Sequence, residues 1–89
     1  LLNNVEKDGS KIKFDGNGAT SGSMRAKKCR YGTGYTLSSN KFKRSGYVFA
    51  GWSTKKNGKG TTYADKEKVR NLTDESKGTV VLYAQWKKK

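Results

Sequence analysis

The 89-residue chain has no histidine, no proline, one cysteine and only seven acidic residues. Each shortage closes a class of function. Without histidine there is no Ser-His or Cys-His nucleophile pair and no imidazole to hold a metal. Cys29 alone makes no internal disulfide, and a structural zinc site needs about four Cys/His ligands. The longest apolar run, Val80-Val81-Leu82-Tyr83-Ala84, falls well short of the ~20 residues of a membrane-spanning helix. Paired carboxylates remain, but Glu6, Asp8, Asp15, Asp65, Glu67, Asp74 and Glu75 all sit in polar stretches. The raised pKa of a catalytic acid requires apolar burial, which these contexts do not offer. The composition therefore predicts a non-enzyme with no metal and no cofactor.

What the chain does hold is positive charge, glycine and aromatic rings. Lys+Arg number 20 against 7 acids, giving a formal charge of +13. No acid lies between Asp15 and Asp65, an interval that carries Arg25, Lys27, Lys28, Arg30, Lys41, Lys43, Arg44, Lys55, Lys56 and Lys59. So many cations without counter-charge set up a positive field over the surface, which favours an anionic partner. Arg25, Lys27, Lys28, Arg30, Lys55 and Lys56 are the candidate anion contacts. Hydrophobic residues make up only 31% and aromatics 11%, so the core must be built on Phe, Tyr and Trp.

Residues 1–10 read as a leader or linker, 11–86 as one small domain and 87–89 as a basic tail. The chain opens without a secretory signal and reads as a piece of something longer. Lys11-Ile12-Lys13-Phe14 alternates polar and apolar like a half-buried strand. Gly16-Asn17-Gly18 stops it as a turn rather than a phosphate loop, because no helical pattern follows. Gly58-Lys59-Gly60-Thr61 is a loop for the same reason. Ala26 to Tyr31 predicts an edge strand, turned at Gly32-Thr33-Gly34 into a hairpin with Tyr35-Thr36-Leu37, and Cys29 is expected to fill a small apolar site there. Ser38 to Arg44 is the one early place for a short helical turn, capped by Ser38 or Ser39 and ended by Gly46. Tyr47 to Trp52 is apolar on both faces and predicts a central strand covered on two sides, with Trp52 in phase with Val48 and Ala50. Short extended pieces follow around Thr61–Tyr63 and Val69. Thr79 to Trp86 is a second strong strand with Val80, Leu82, Ala84 and Trp86 on one face. Both tryptophans are read as core, and Tyr31, Tyr35 and Tyr63 as partly exposed. The sum is a β-rich α+β domain.

Four blocks stand in order: Ile12-Lys13-Phe14-Asp15-Gly16-Asn17-Gly18, Tyr31-Gly32-Thr33, Gly46-Tyr47-Val48-Phe49-Ala50-Gly51-Trp52 and Leu82-Tyr83-Ala84-Gln85-Trp86. Through its G-Y-x-F-x-G-W and closing L-Y-A-x-W signatures, the chain resembles the Listeria–Bacteroides repeat, the B-repeat of internalin-type bacterial surface proteins, from Lys11 to Trp86. The resemblance implies a β-grasp-like (ubiquitin/SUMO-like) domain at the bacterial cell surface. It implies a non-catalytic, extracellular role as spacer, adhesion module or protein-interaction module. The motif residues look architectural, so the resemblance transfers no binding site. Where such repeats often have prolines, this chain has Arg25 and Ser38, and where they are commonly near neutral it is +13.

For a surface module the expected partner is an unknown protein or an anionic polymer such as an acidic glycan or a teichoic acid. The rival reading is a basic nucleic-acid-binding domain, which a pI near 10.0 with interleaved aromatics would also fit. Against it, the chain has no zinc finger, no RNP-like aromatic pair and no helix for a major groove.

Overall fold

The computed structural model describes residues 10–29, 35–69 and 79–89. They form seven strands and, among them, no helix: β1 (Ser10–Asp15), β2 (Lys27–Cys29), β3 (Tyr35–Thr36), β4 (Tyr47–Ser53), β5 (Thr62–Tyr63), β6 (Lys68–Val69) and β7 (Thr79–Lys88). A five-stranded mixed sheet runs in the order β2-β1-β7-β4-β5, and β3 pairs with β6 in a separate ribbon.

The longest strand, β7, lies at the centre, where its β-branched and aromatic residues suit a pleated, half-buried surface. Its first half pairs parallel with β1, Ile12 opposite Val80 and Phe14 opposite Leu82. Its second half pairs antiparallel with β4, Phe49 opposite Trp86 and Trp52 opposite Ala84. One sheet face thus collects Ile12, Phe14, Trp52, Leu82 and Ala84, all buried. Leu37, just after β3, and Val69 of β6 close over this face, and Met24 and Phe42 pack in from the loops.

Three expectations need correction. The helical turn over 38–44 does not form, because its amides are already committed elsewhere. Asn40 N–H donates to Asp65 Oδ1 (2.9 Å), Phe42 N–H to Asn40 Oδ1 (2.9 Å) and Lys43 N–H to the Ser21 carbonyl (3.0 Å). A short segment gains little from an isolated turn, and asparagine offers the backbone a competing acceptor. The hairpin between β2 and β3 is also absent. β2 adds to the outer edge of β1, whereas Tyr35 and Thr36 pair with Val69 and Lys68, which seats Leu37 and Val69 in the core. Residues 30–34, including Arg30, the Gly32-Thr33-Gly34 turn and Tyr31, lie outside the described residues, as do 1–9 and the side chains of Cys29 and Tyr35.

The third correction concerns β4. Simple alternation places Trp52 with Val48 and Ala50. In the structure Phe49 pairs with Trp86 and Gly51 with Gln85, so Ala50 is an extra residue, a β-bulge. The bulge reverses the phase: Phe49 and Trp52 share the inner face with ring centroids 4.9 Å apart, while Val48 (45% exposed) and Ala50 face solvent. β4 is covered on one side along its first half.

The turn after β1 fastens three elements together. Asp15 Oδ1 accepts the Asn17 N–H (2.7 Å), and Asn17 takes the left-handed backbone at φ 47. Its Nδ2 then donates to the carbonyls of Ala84 (2.8 Å) and Lys56 (3.0 Å), bridging β7 and the β4–β5 loop. Asn17→Ala is expected to destabilise the domain by about 1–3 kcal/mol by leaving a part-buried carbonyl unpaired. Asn17→Gly keeps the backbone geometry, so comparing the two midpoints in urea unfolding isolates the side-chain bonds from the left-handed strain.

Candidate anion-binding surface

The described segments carry most of the cations and few of the acids. All basic residues except Lys7, Arg30, Arg70 and Lys77 lie in the described segments, where the acids are only Asp15, Asp65 and Glu67. Each of those three carboxylates accepts a backbone N–H: Asp15 from Asn17, Asp65 from Asn40 and Glu67 from Ala64. They act as loop fasteners. Burial, and secondarily the Glu67 carboxylate, hold the Tyr63 phenol above its usual 10.0, so this group adds no negative charge near neutrality.

The six candidate contacts do not form one site. Lys27 and Lys28 lie exposed on the edge strand β2, with Arg25 just before them beside Ser23, Met24, Ser38 and Lys41 in a cleft of about 440 Å³. Lys28 stands directly opposite Lys11 in the β1–β2 register, a like-charge pairing that disfavours the bare sheet and would be relieved by an anion. Lys55 and Lys56 lie on the β4–β5 loop, which folds across the outer sheet face. Ser53, fully buried beneath it, accepts the amides of Lys55 (3.1 Å) and Gly60 (3.3 Å) through its Oγ. Lys56 Nζ sits 5.8 Å from the Tyr83 ring centroid. The structure thus divides the candidates between the β2 edge and the loop over β7, and Arg30 falls outside the described residues.

A third grouping contains a residue absent from those six. Arg44 lays its guanidinium over Tyr47, with Cζ 3.9 Å from the ring centroid. Behind it is the bare backbone of Gly18, where an added Cβ would stand 3.5 Å from Cζ and Nη1. Among the described residues no protein oxygen accepts from the Arg44 guanidinium. Beside Arg44 opens a cleft of about 470 Å³, lined by the rings of Phe42, Tyr47, Phe49 and Trp86, by Lys43 and Lys89, and by Thr20, Ser45 and Gly46. Its walls are fixed. Trp86 Nε1 donates to the Gly16 carbonyl (2.9 Å), Ser45 N–H to Thr20 Oγ1 (3.1 Å) and Lys89 N–H to the Gly46 carbonyl (3.1 Å).

Trp52 is fully buried against Phe14, Phe42 and Phe49, as a core residue. Trp86 both packs against the core and lines the cleft. The sequence signal for Arg44 is its place two residues before Gly46-Tyr47-Val48-Phe49, but only the folded chain shows the cation stacked on that tyrosine.

No helix among the described residues is long and apolar enough to cross a membrane. Neither the curated proteins nor the solved structures contain a match to this sequence. Residues 11–85, the stretch that supplies nearly all of the sheet and both clefts, match the Listeria-Bacteroides repeat domain, and the chain belongs to that family.

Proposed function

We propose that this domain is a non-catalytic, extracellular module of a bacterial surface protein, one that spaces its neighbours and adheres by charge to an anionic polymer such as a teichoic acid or an acidic glycan. The family is typical of bacterial surface proteins and generally non-catalytic, which supports the setting. The observation that carries the adhesive role is the surface charge. Basic residues far outnumber acids in the described segments, and each described acid is engaged with a backbone amide. The sheet is read as β-grasp-like, since its first and last strands pair in parallel at the centre and the remaining partners run antiparallel.

Retention on heparin, at several salt concentrations, tests the reading. Affinity is expected to fall steeply and linearly on logarithmic axes, as released counterions dictate. Lys27→Glu with Lys28→Glu is expected to elute earlier than the parent. Single-stranded DNA at matched salt should bind no more tightly than heparin. A preference for DNA of about 1–3 kcal/mol per stacked base would instead establish a nucleic-acid site. Absence of heparin retention near physiological salt would remove the adhesive role.

A further inference from the structure

We propose that the cleft between β4, the end of β7 and residues 42–46 binds an acidic saccharide unit, a pyranose ring bearing a carboxylate. Arg44 holds the carboxylate, and the aromatic wall receives the C–H face of the ring. This deepens the anionic-polymer reading above and rests on it, naming the chemical class of the unit bound and the residues that bind it.

Two independent observations point to a ligand. The first is the state of Arg44. Its guanidinium lies against the Tyr47 ring and next to the Gly18 backbone, and its donors have no protein acceptor among the described residues. A planar fork stacked in this way matches a carboxylate in bidentate fashion, and the stacking lowers the side-chain freedom that binding would otherwise remove. Lys43 and Lys89 add positive charge to the rim, and among the described residues no acid lines the cleft.

The second is the wall itself. In a chain with only 31% hydrophobic residues, four half-buried aromatic residues line one open cleft. Partly exposed rings grouped beside a few polar donors are the usual composition of a small-ligand site. The volume, about 470 Å³, lies in the ~300–1,000 Å³ range of such sites. A bare phosphate or sulfate would use the cations and leave the rings idle. An Asp or Glu side chain brings a carboxylate on a flexible stem with no flat apolar face. A carboxylated sugar ring presents both features on one rigid unit.

The test is a titration of the whole domain with trigalacturonate at constant ionic strength. It is followed by amide and indole NMR shifts, with neutral galactose oligomers, tetraglutamate and heparin as comparisons. Saturable shifts are expected at Gly46, Tyr47, Phe49 and the Trp86 indole N–H, with none from the neutral oligomer. Arg44→Gln should weaken trigalacturonate by about 10-fold or more, the loss of a charge-assisted pair, while lowering heparin retention no more than Lys28→Gln does. Lys89→Gln, an exposed substitution that disturbs no packing, should weaken it about two- to fivefold. Because the shift map uses the unaltered protein, a poorly folded variant cannot obscure the answer. Shifts centred on Lys27 and Lys28 or on Lys55 and Lys56, or equal binding of tetraglutamate, would overturn the saccharide cleft. Heparin retention without any trigalacturonate shift would overturn the cleft alone, whereas loss of both would overturn the anionic-polymer reading as well.

Discussion

Replacing Trp52 by alanine is expected to remove about 3–5 kcal/mol of stability, about half of what a domain of this length holds at roughly 5–10 kcal/mol. The side chain is fully buried and meets three rings, with centroids at 5.0 Å (Phe14), 6.2 Å (Phe42) and 4.9 Å (Phe49). It joins β4 to β1 and to the 42–46 segment, so no neighbouring group can collapse into the space without moving a strand. Trp52→Phe should behave quite differently. The indole Nε1 is buried with no hydrogen-bond partner among the described residues, and an unsatisfied buried donor costs about 1–3 kcal/mol. Phenylalanine removes that donor while keeping a ring in place, so its net loss should be about 1–2 kcal/mol. Urea unfolding followed by Trp86 fluorescence and far-ultraviolet dichroism measures both. Equal losses for the two substitutions would mean that ring packing is not what Trp52 contributes.

Gly51→Ala is expected to cost about 2–3 kcal/mol, from a backbone angle that side chains rarely adopt and from a steric contact. Gly51 has φ 120, and a Cβ there would lie 3.0 Å from the Tyr63 carbonyl oxygen across the β4–β5 pair. Gly46 supplies the comparison. Its φ is 80, yet an added Cβ would meet nothing within 4 Å. Gly46→Ala should therefore lose only about 1 kcal/mol, the left-handed penalty by itself. Thermal melts of the two variants separate angle from contact, and identical shifts would show that the approach to Tyr63 is immaterial. Gly51 matters beyond its own energy, because the bulge beside it decides which side chains of β4 reach the core.

That bulge also shows where reading the chain residue by residue succeeds and where it stops. β1 and β7 alternate regularly, and Ile12, Phe14, Leu82 and Ala84 are buried as period-two spacing predicts. In Tyr47-Val48-Phe49-Ala50-Gly51-Trp52 the two large rings Phe49 and Trp52 are three residues apart, an odd separation that alternation assigns to opposite faces. One unpaired alanine puts them on the same face, and the only local sign of it is a glycine. The segment around Asn40 misleads for a related reason. Its serines and asparagine suit a helix cap and a loop equally, and the choice falls to tertiary partners, Asp65 and Ser21, distant in sequence. Arg44 is visible in the sequence as one charge in a basic interval. Its special position depends on Gly18 lying behind it, a neighbour that no local pattern announces.

The parallel pairing of β1 with β7 bears on the spacing role proposed above. Because the two strands point the same way, the chain enters the sheet at one end of this ladder and leaves from the other. Tension applied between the start of β1 and the end of β7 would slide the strands lengthwise past each other, so the pairs from Lys11–Thr79 to Asp15–Tyr83 share the load and must rupture together. A hairpin pulled from its open end would instead unzip rung by rung. Such a shear joint is the mechanically resistant arrangement, suited to a tether between a cell and whatever it grips.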